Sequence, residues 1–164
     1  KLRFEDVKSI ENAERHLYWD RELAIDRAVY VEVENLYGPL RFVVQERFQR
    51  PEYERFERAT ITEWNHGTGQ ASELHKLGAG IFLFGTFDSE QDTFLDAIVF
   101  SVPNALLALT LGTLNWDRRE NKRTHQTLLS IPYSELCRSA SVLYYERRGI
   151  VLVAPGGKEA TTLV

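Results

Sequence analysis

From Arg27 to Asn35 the chain alternates without a break, with Val29, Val31 and Val33 on one side and Ala28, Tyr30, Glu32 and Glu34 on the other. A strand repeats every two residues, so this pattern predicts a β-strand buried on one face and wet on the other. "LYGP" (36–39) then supplies turn chemistry, because Gly tolerates positive φ and Pro fixes its own. "LRFVVQERFQ" (40–49) reads as the returning strand of a hairpin. In an antiparallel pair the start of the first strand lies beside the end of the second. Asp26, just ahead of the first strand, is therefore expected beside Gln45, Glu46 and Arg47. Gln45 and Arg47 are two residues apart and share a face, while Glu46 projects from the other.

The remaining segments predict a mixed α/β fold. Residues 5–23 read as a helix, with Val7, Ile10, Ala13 and Leu17 at helical spacing and Glu14 at the edge of that stripe. "PEYERFE" after Arg50 reads as a helical turn, "ATITEW" (59–64) as a third strand, "NHGTGQ" (65–70) as a loop and "SELHKL" (72–77) as a helix capped by Ser72. "GIFLFGTF" (80–87) is continuously apolar, as a doubly covered strand would be. A further strand at 93–101 precedes a helix, "PNALLALTLG", with Pro103 near its start and Gly112 near its stop. "NWDRRENKRTHQ" (115–126) reads as a polar, basic loop. A strand near 127–131, a short helix at 133–138 and strands near 141–147 and 150–154 complete the chain. The expectation is one domain: an N-terminal helix, an antiparallel three-strand meander, a helix and further strands.

Composition sets outer bounds. At 164 residues, 43% of them hydrophobic, the chain is long enough to bury a real core. A formal charge of −4 gives no nucleic-acid coat, although a local basic patch is enough for an enzyme. Cys137 is the single cysteine, so no internal disulfide forms, and a reducing, cytoplasmic setting is expected. The longest apolar run (97–111) is short for a bilayer span and carries Pro103 and Asn104 at its middle, so no membrane partner is expected. No signal peptide or transit segment is read in the sequence, and because it opens on Lys1, an initiator methionine is expected upstream.

The polar ends of the hairpin are the chemistry-bearing feature. Mg²⁺ takes oxygen ligands, and Asp26 with the side-chain oxygen of Gln45 would supply two. A cation alongside, Arg47 or a lysine from another element, would steady an attacking water and the charge developing on a phosphate. A helix with Glu, a strand opened by Asp, an apolar strand ending in (Asp/Glu/Gln)-x-Lys, then a helix and a strand: in this order the chain resembles the PD-(D/E)XK nuclease superfamily. That group includes restriction enzymes, archaeal Holliday-junction resolvases and some homing endonucleases. The matching positions are Glu14, Asp26 and "VVQER", with Gln45 at the acidic position and Arg47 at the lysine position. The match covers roughly the first half of the chain. No Pro precedes Asp26, Gln replaces the acid, and Arg, which does not readily exchange a proton, replaces the lysine. Lys76 on the second helix, with Glu73 one turn before it, is the substitute the sequence offers.

The resemblance implies a restriction-endonuclease-like core and a Mg²⁺- or Mn²⁺-dependent endonuclease acting on nucleic acid, with DNA expected. Asp26, Gln45 and Glu14 would be the metal ligands, and Arg47 and Lys76 the catalytic cations. Enzymes of this group often pair as two-fold dimers, which makes a homodimer a further expectation. The alternative is a catalytically inactive nucleic-acid-binding or structural module on the same scaffold. Taken singly, each residue also has an ordinary role: Glu14 solvated, Asp26 turning the chain, Gln-Glu-Arg a polar strand end. Other segments offer less. "HGTGQ" lacks the Lys-Ser/Thr pair of a P-loop, and His16, His66, His75 and His125 lack metal-ligand spacing. "DRRENKR" (117–123) mixes both signs beside Trp116, as a phosphate-touching or a solvated loop would.

Overall fold

A computed structural model of the chain describes residues 7–12, 23–31 and 39–153. β1 (Val7–Asn12), β2 (Arg27–Val31) and β3 (Leu40–Gln49) come first, followed by a 3-10 helix at Pro51–Phe56. β4 (Arg58–Asn65), β5 (Gln70–Ala71), α1 (Glu73–Lys76), β6 (Ile81–Asp88) and β7 (Thr93–Ser101) follow. The chain then forms α2 (Val102–Thr110), β8 (Asp117–Asn121), β9 (Gln126–Pro132), α3 (Tyr133–Arg138), β10 (Val142–Arg147) and β11 (Ile150–Val153). The fold is mixed α/β, rich in strands and poor in helix. Two sheets carry it, one in the order β1-β2-β3-β6-β7-β10-β11 and a smaller one in the order β5-β4-β9-β8. No helix among the described residues is long and apolar enough to cross a membrane.

The hairpin strands pair antiparallel, Arg27 opposite Val44 and Val31 opposite Leu40. Their turn, at residues 32–38, lies outside the described residues. Three expectations are corrected. Residues 7–12, read as helix, form β1 against β2. A register shift between Val7 and Ser9 explains the misreading: positions 7 and 10, three apart, come opposite Val31 and Val29, two apart. The spacing of Val7 and Ile10 is thus produced by a bulged strand, and residues 5–6 and 13–22 of the stretch read as helix lie outside the described residues. Second, β4 is a strand but leaves the meander. Pro51 and the 3-10 helix lead the chain off the first sheet, and the apolar β6 takes the place beside β3, running parallel to it from Val44↔Ile81 to Gln49↔Thr86. Third, the polar loop expected at 115–126 is largely the hairpin β8–β9. β8 is an edge strand dense in charge, as exposed edges commonly are.

Both sheets contribute to one buried cluster. Phe82, Phe84, Ile98 and Phe100 of the larger sheet join Ala59, Ile61, Leu129 and Ile131 of the smaller. The rings of Phe82 and Phe100 stack with centroids 5.3 Å apart. Burying each such side chain stabilises the fold by about 1.5–3 kcal/mol. α2 adds Ala105 and Ala108, with Ser101 Oγ accepting the Asn104 N–H at 3.4 Å as its cap.

Asp96 lies inside this layer, only 2% exposed. Its carboxylate accepts hydrogen bonds from the Thr86 N–H (3.0 Å), the Thr86 hydroxyl (2.9 Å) and the Tyr133 hydroxyl (3.0 Å). Burial pushes the carboxyl above its ordinary range, and these donors offset part of that rise. Gly85 permits the close approach of the strands here, since a Cβ on it would stand 2.7 Å from the Asp96 carbonyl oxygen.

Candidate functional site

The chain reaches Asp26 through a fixed approach. Gly78 N–H donates to the Leu23 carbonyl at 2.7 Å, and Gly80 N–H to the Val43 carbonyl at 3.0 Å. Ile25 and Ala79 are buried together against Leu23, Val43 and Leu77. Ala24 takes a left-handed backbone, φ 45°, which an L residue adopts at a cost. Asp26 N–H donates to Val44 O at 2.9 Å, and its carboxylate accepts the Glu46 N–H at 2.7 Å. The two polar clusters, twenty residues apart in sequence, are in direct contact.

Alternation then separates the next three side chains. Glu46 pairs with Arg27, Nε to Oε1 at 2.7 Å. On the opposite face, Nη1 of Arg47 donates both to Thr62 Oγ1 (2.8 Å) and to Glu73 Oε2 (2.7 Å). The same Glu73 oxygen accepts the Thr62 N–H at 2.9 Å. Arg47 therefore joins β3 to β4 and α1, and its guanidinium is engaged there. Gln45 shares that face and is 9% exposed. Its Nε2 donates weakly to the Glu46 carbonyl at 3.3 Å, and its Oε1 is buried with no hydrogen-bond partner.

A cleft of about 220 Å³ opens over Gln45, lined by Ala24, Gln45, Thr62, Ser72, Glu73 and Lys76. Of the residues expected in a site, Gln45 and Lys76 line this cleft. Asp26 contacts the backbone of Gln45's neighbour, and Arg47 reaches Glu73. Glu14 lies outside the described residues. Thr62 carries no sequence signal beyond its place in an alternating strand. Glu73 is marked in the sequence only by its helical spacing from Lys76.

The donor chemistry can be compared with what a hard cation takes. Oxygen ligands are required, and Gln45, whose amide oxygen has no partner, lines the cleft together with the Glu73 carboxylate, while Asp26 holds the backbone of the neighbouring Glu46. Among the described residues no three His, Cys, Asp or Glu side chains gather in a metal-holding group. A cation here would take Gln45 as one ligand and complete its shell with carboxylate and water, which suits Mg²⁺.

A second concavity, about 430 Å³, is lined by His66, Arg118, Arg119, Glu120 and Thr127. Its charges are largely matched. Arg118 makes two hydrogen bonds to Glu63, at 2.7 and 2.6 Å, and Arg119 lies 3.5 Å from Asp117. In the nearby "HGTGQ" turn, Asn65 Oδ1 accepts the N–H groups of Gly67 (3.0 Å) and Thr68 (3.3 Å). Those amides are used internally instead of facing a phosphate. Compared with family models, curated proteins and solved structures, the chain matches none.

Proposed function

We propose that the protein is a metal-dependent nuclease on a restriction-endonuclease-like core, hydrolysing phosphodiester bonds in nucleic acid, with DNA as the substrate. The observation that carries this reading is Gln45, a residue that lines the cleft and whose buried Oε1 has no hydrogen-bond partner, next to the strand junction where Asp26 meets Glu46. Leaving a buried amide oxygen unsatisfied costs about 1–3 kcal/mol. A site that binds a cation there recovers that cost on loading.

In this reading Asp26 and Gln45 hold Mg²⁺ or Mn²⁺, with Glu14 as the further ligand expected from the resemblance. When bound, the ion supplies charge neutralisation at the scissile phosphate and an acidified water. Lys76, on the cleft wall, takes the role of the motif's lysine and orients the nucleophilic water. Arg47 is held by Thr62 and Glu73 and serves the site from behind it. The Asp26 backbone and carboxylate fix where Gln45 sits by binding Val44 and Glu46.

Incubation with supercoiled plasmid and Mn²⁺ or Mg²⁺ should yield nicked and linear DNA, with no conversion in chelator. Asp26→Ala should slow conversion by at least about 100-fold, the scale on which loss of a charge-stabilising group acts. Cleavage that continues unchanged in Asp26→Ala moves the chemistry elsewhere. DNA binding without hydrolysis at any metal concentration leaves a binding module on the same scaffold.

A further inference from the structure

Glu73 is not one of the metal ligands that the nuclease motif supplies, yet among the described residues lining the Gln45 cleft it is the one carboxylate, and it is firmly held. Its Oε2 is gripped from two sides, by Arg47 Nη1 at 2.7 Å and by the Thr62 backbone N–H at 2.9 Å. Both hydrogen bonds fall on the same oxygen, so the carboxylate is fixed in orientation while Oε1 is left out of that network. The side chain is 12% exposed and lines the cleft together with Gln45. Gln45 is the second, independent observation: nine-tenths buried, with an oxygen that no donor meets.

We propose that Glu73 is a cation-binding carboxylate of this cleft, acting with Gln45, and that Arg47 is the positioning residue that aims it. The inference rests on the nuclease reading and adds to it. Where that motif would place an acid on the strand, this chain has the neutral Gln45, and a negative charge reaches the same cleft from α1. The arrangement also gives a reason for arginine at position 47. A planar guanidinium can bridge a hydroxyl and a carboxylate in a fixed geometry, which a lysine ammonium does less well. A carboxylate clamped in advance binds a hard cation without losing side-chain freedom at that moment.

The probe is Mn²⁺ alone, titrated by calorimetry into the chain without nucleic acid, so the readout is binding instead of turnover. Glu73→Gln keeps an oxygen for Arg47 and the Thr62 N–H but removes the charge, and it should weaken Mn²⁺ at least tenfold. Its melting temperature in chelator reports whether it folds, and Glu73→Asp, which keeps the charge on a shorter stem, should lie between it and the wild type. Arg47→Met should also weaken Mn²⁺, with partial recovery in Arg47→Lys. A Glu73→Gln protein that binds Mn²⁺ as tightly as wild type, while Asp26→Asn does not, overturns the role of Glu73 and leaves the nuclease reading in place. Loss in Glu73→Gln with none in Asp26→Asn keeps the role of Glu73 and removes Asp26 from the site. A wild-type chain that takes up no Mn²⁺ overturns both.

Discussion

Asp96 and Gln45 stand on the same face of the larger sheet, both at least nine-tenths buried, and they are treated in opposite ways. Around Asp96 every need is met: three donors converge on two oxygens, and Gln49 Nε2 extends the network to Thr86 Oγ1 at 2.9 Å. Gln45 spends its amide N–H on one long hydrogen bond and leaves its oxygen without a donor. Asp96 is surrounded by core, whereas Gln45 faces a cleft. A buried polar group whose partners all come from the fold specifies the fold. One that the fold leaves incomplete, beside an opening, has room for a partner from outside, whether a water or an ion.

The sharpest way to break this contrast is to delete Asp96. In Asp96→Ala the Thr86 N–H, the Thr86 hydroxyl and the Tyr133 hydroxyl lose their acceptor in the core. Stranding these donors should destabilise the protein by about 3 kcal/mol or more, read as a lower urea midpoint at unchanged slope. A loss below about 1 kcal/mol would show that the network is decorative and that burial alone does not separate the two sites.

Gln45→Met should move stability the other way. The replacement conserves volume, and it removes an oxygen that costs the folded state its hydration. In chelator the variant should be about 1 kcal/mol more stable than wild type, or roughly 2–4 °C higher in Tm. If instead Gln45→Met melts well below wild type in chelator, the amide is a structural group like Asp96 and the contrast collapses.

How much of this was legible follows from what is local. β2 announces itself by alternation and β3 as the apolar run returning after the turn residues, and the meeting of Asp26 with the Gln45–Arg47 segment follows from antiparallel geometry alone. β1 was hidden because its bulge imitates helical spacing, and β8 because an edge strand of Asp, Arg, Arg, Glu and Asn owes its conformation to β9 and not to its own propensities. The Asp96 node had a visible signal, a single carboxylate within "FLDAIVF", but its acceptor role depends on Thr86 and on Tyr133, far along the chain. Glu73 was half legible. Its spacing from Lys76 is local, whereas its clamp by Arg47 and Thr62 joins three elements whose packing no short stretch encodes. Position on a second sheet, as for β4, is likewise decided by which strand wins the place beside β3.

The smallest effect discriminates the two regions by pH. Burial, opposed by the Thr86 and Tyr133 hydrogen bonds, raises the Asp96 carboxyl above its unfolded value. The folded state then holds that proton more tightly than the unfolded chain. The resulting stabilisation is fully present below the unfolded value, about 4, and is lost as pH rises through the raised one. Glu54 works in the opposite sense. Arg148 donates to its two oxygens, each at 3.0 Å, and holds its pKa low, so its contribution is present above the unfolded value and is lost as pH falls. Asp96→Asn keeps the Glu54–Arg148 pair, so the difference in Tm between wild type and Asp96→Asn reports chiefly on the buried group, together with the weaker repulsion that Glu54 exerts on it. That difference should favour wild type most at pH 4 and below, and shrink toward pH 7. A difference that stays flat across this range would mean the Asp96 proton is no better held than in the unfolded chain. The three hydrogen bonds would then fully offset burial, and the core node would be as comfortable charged as neutral.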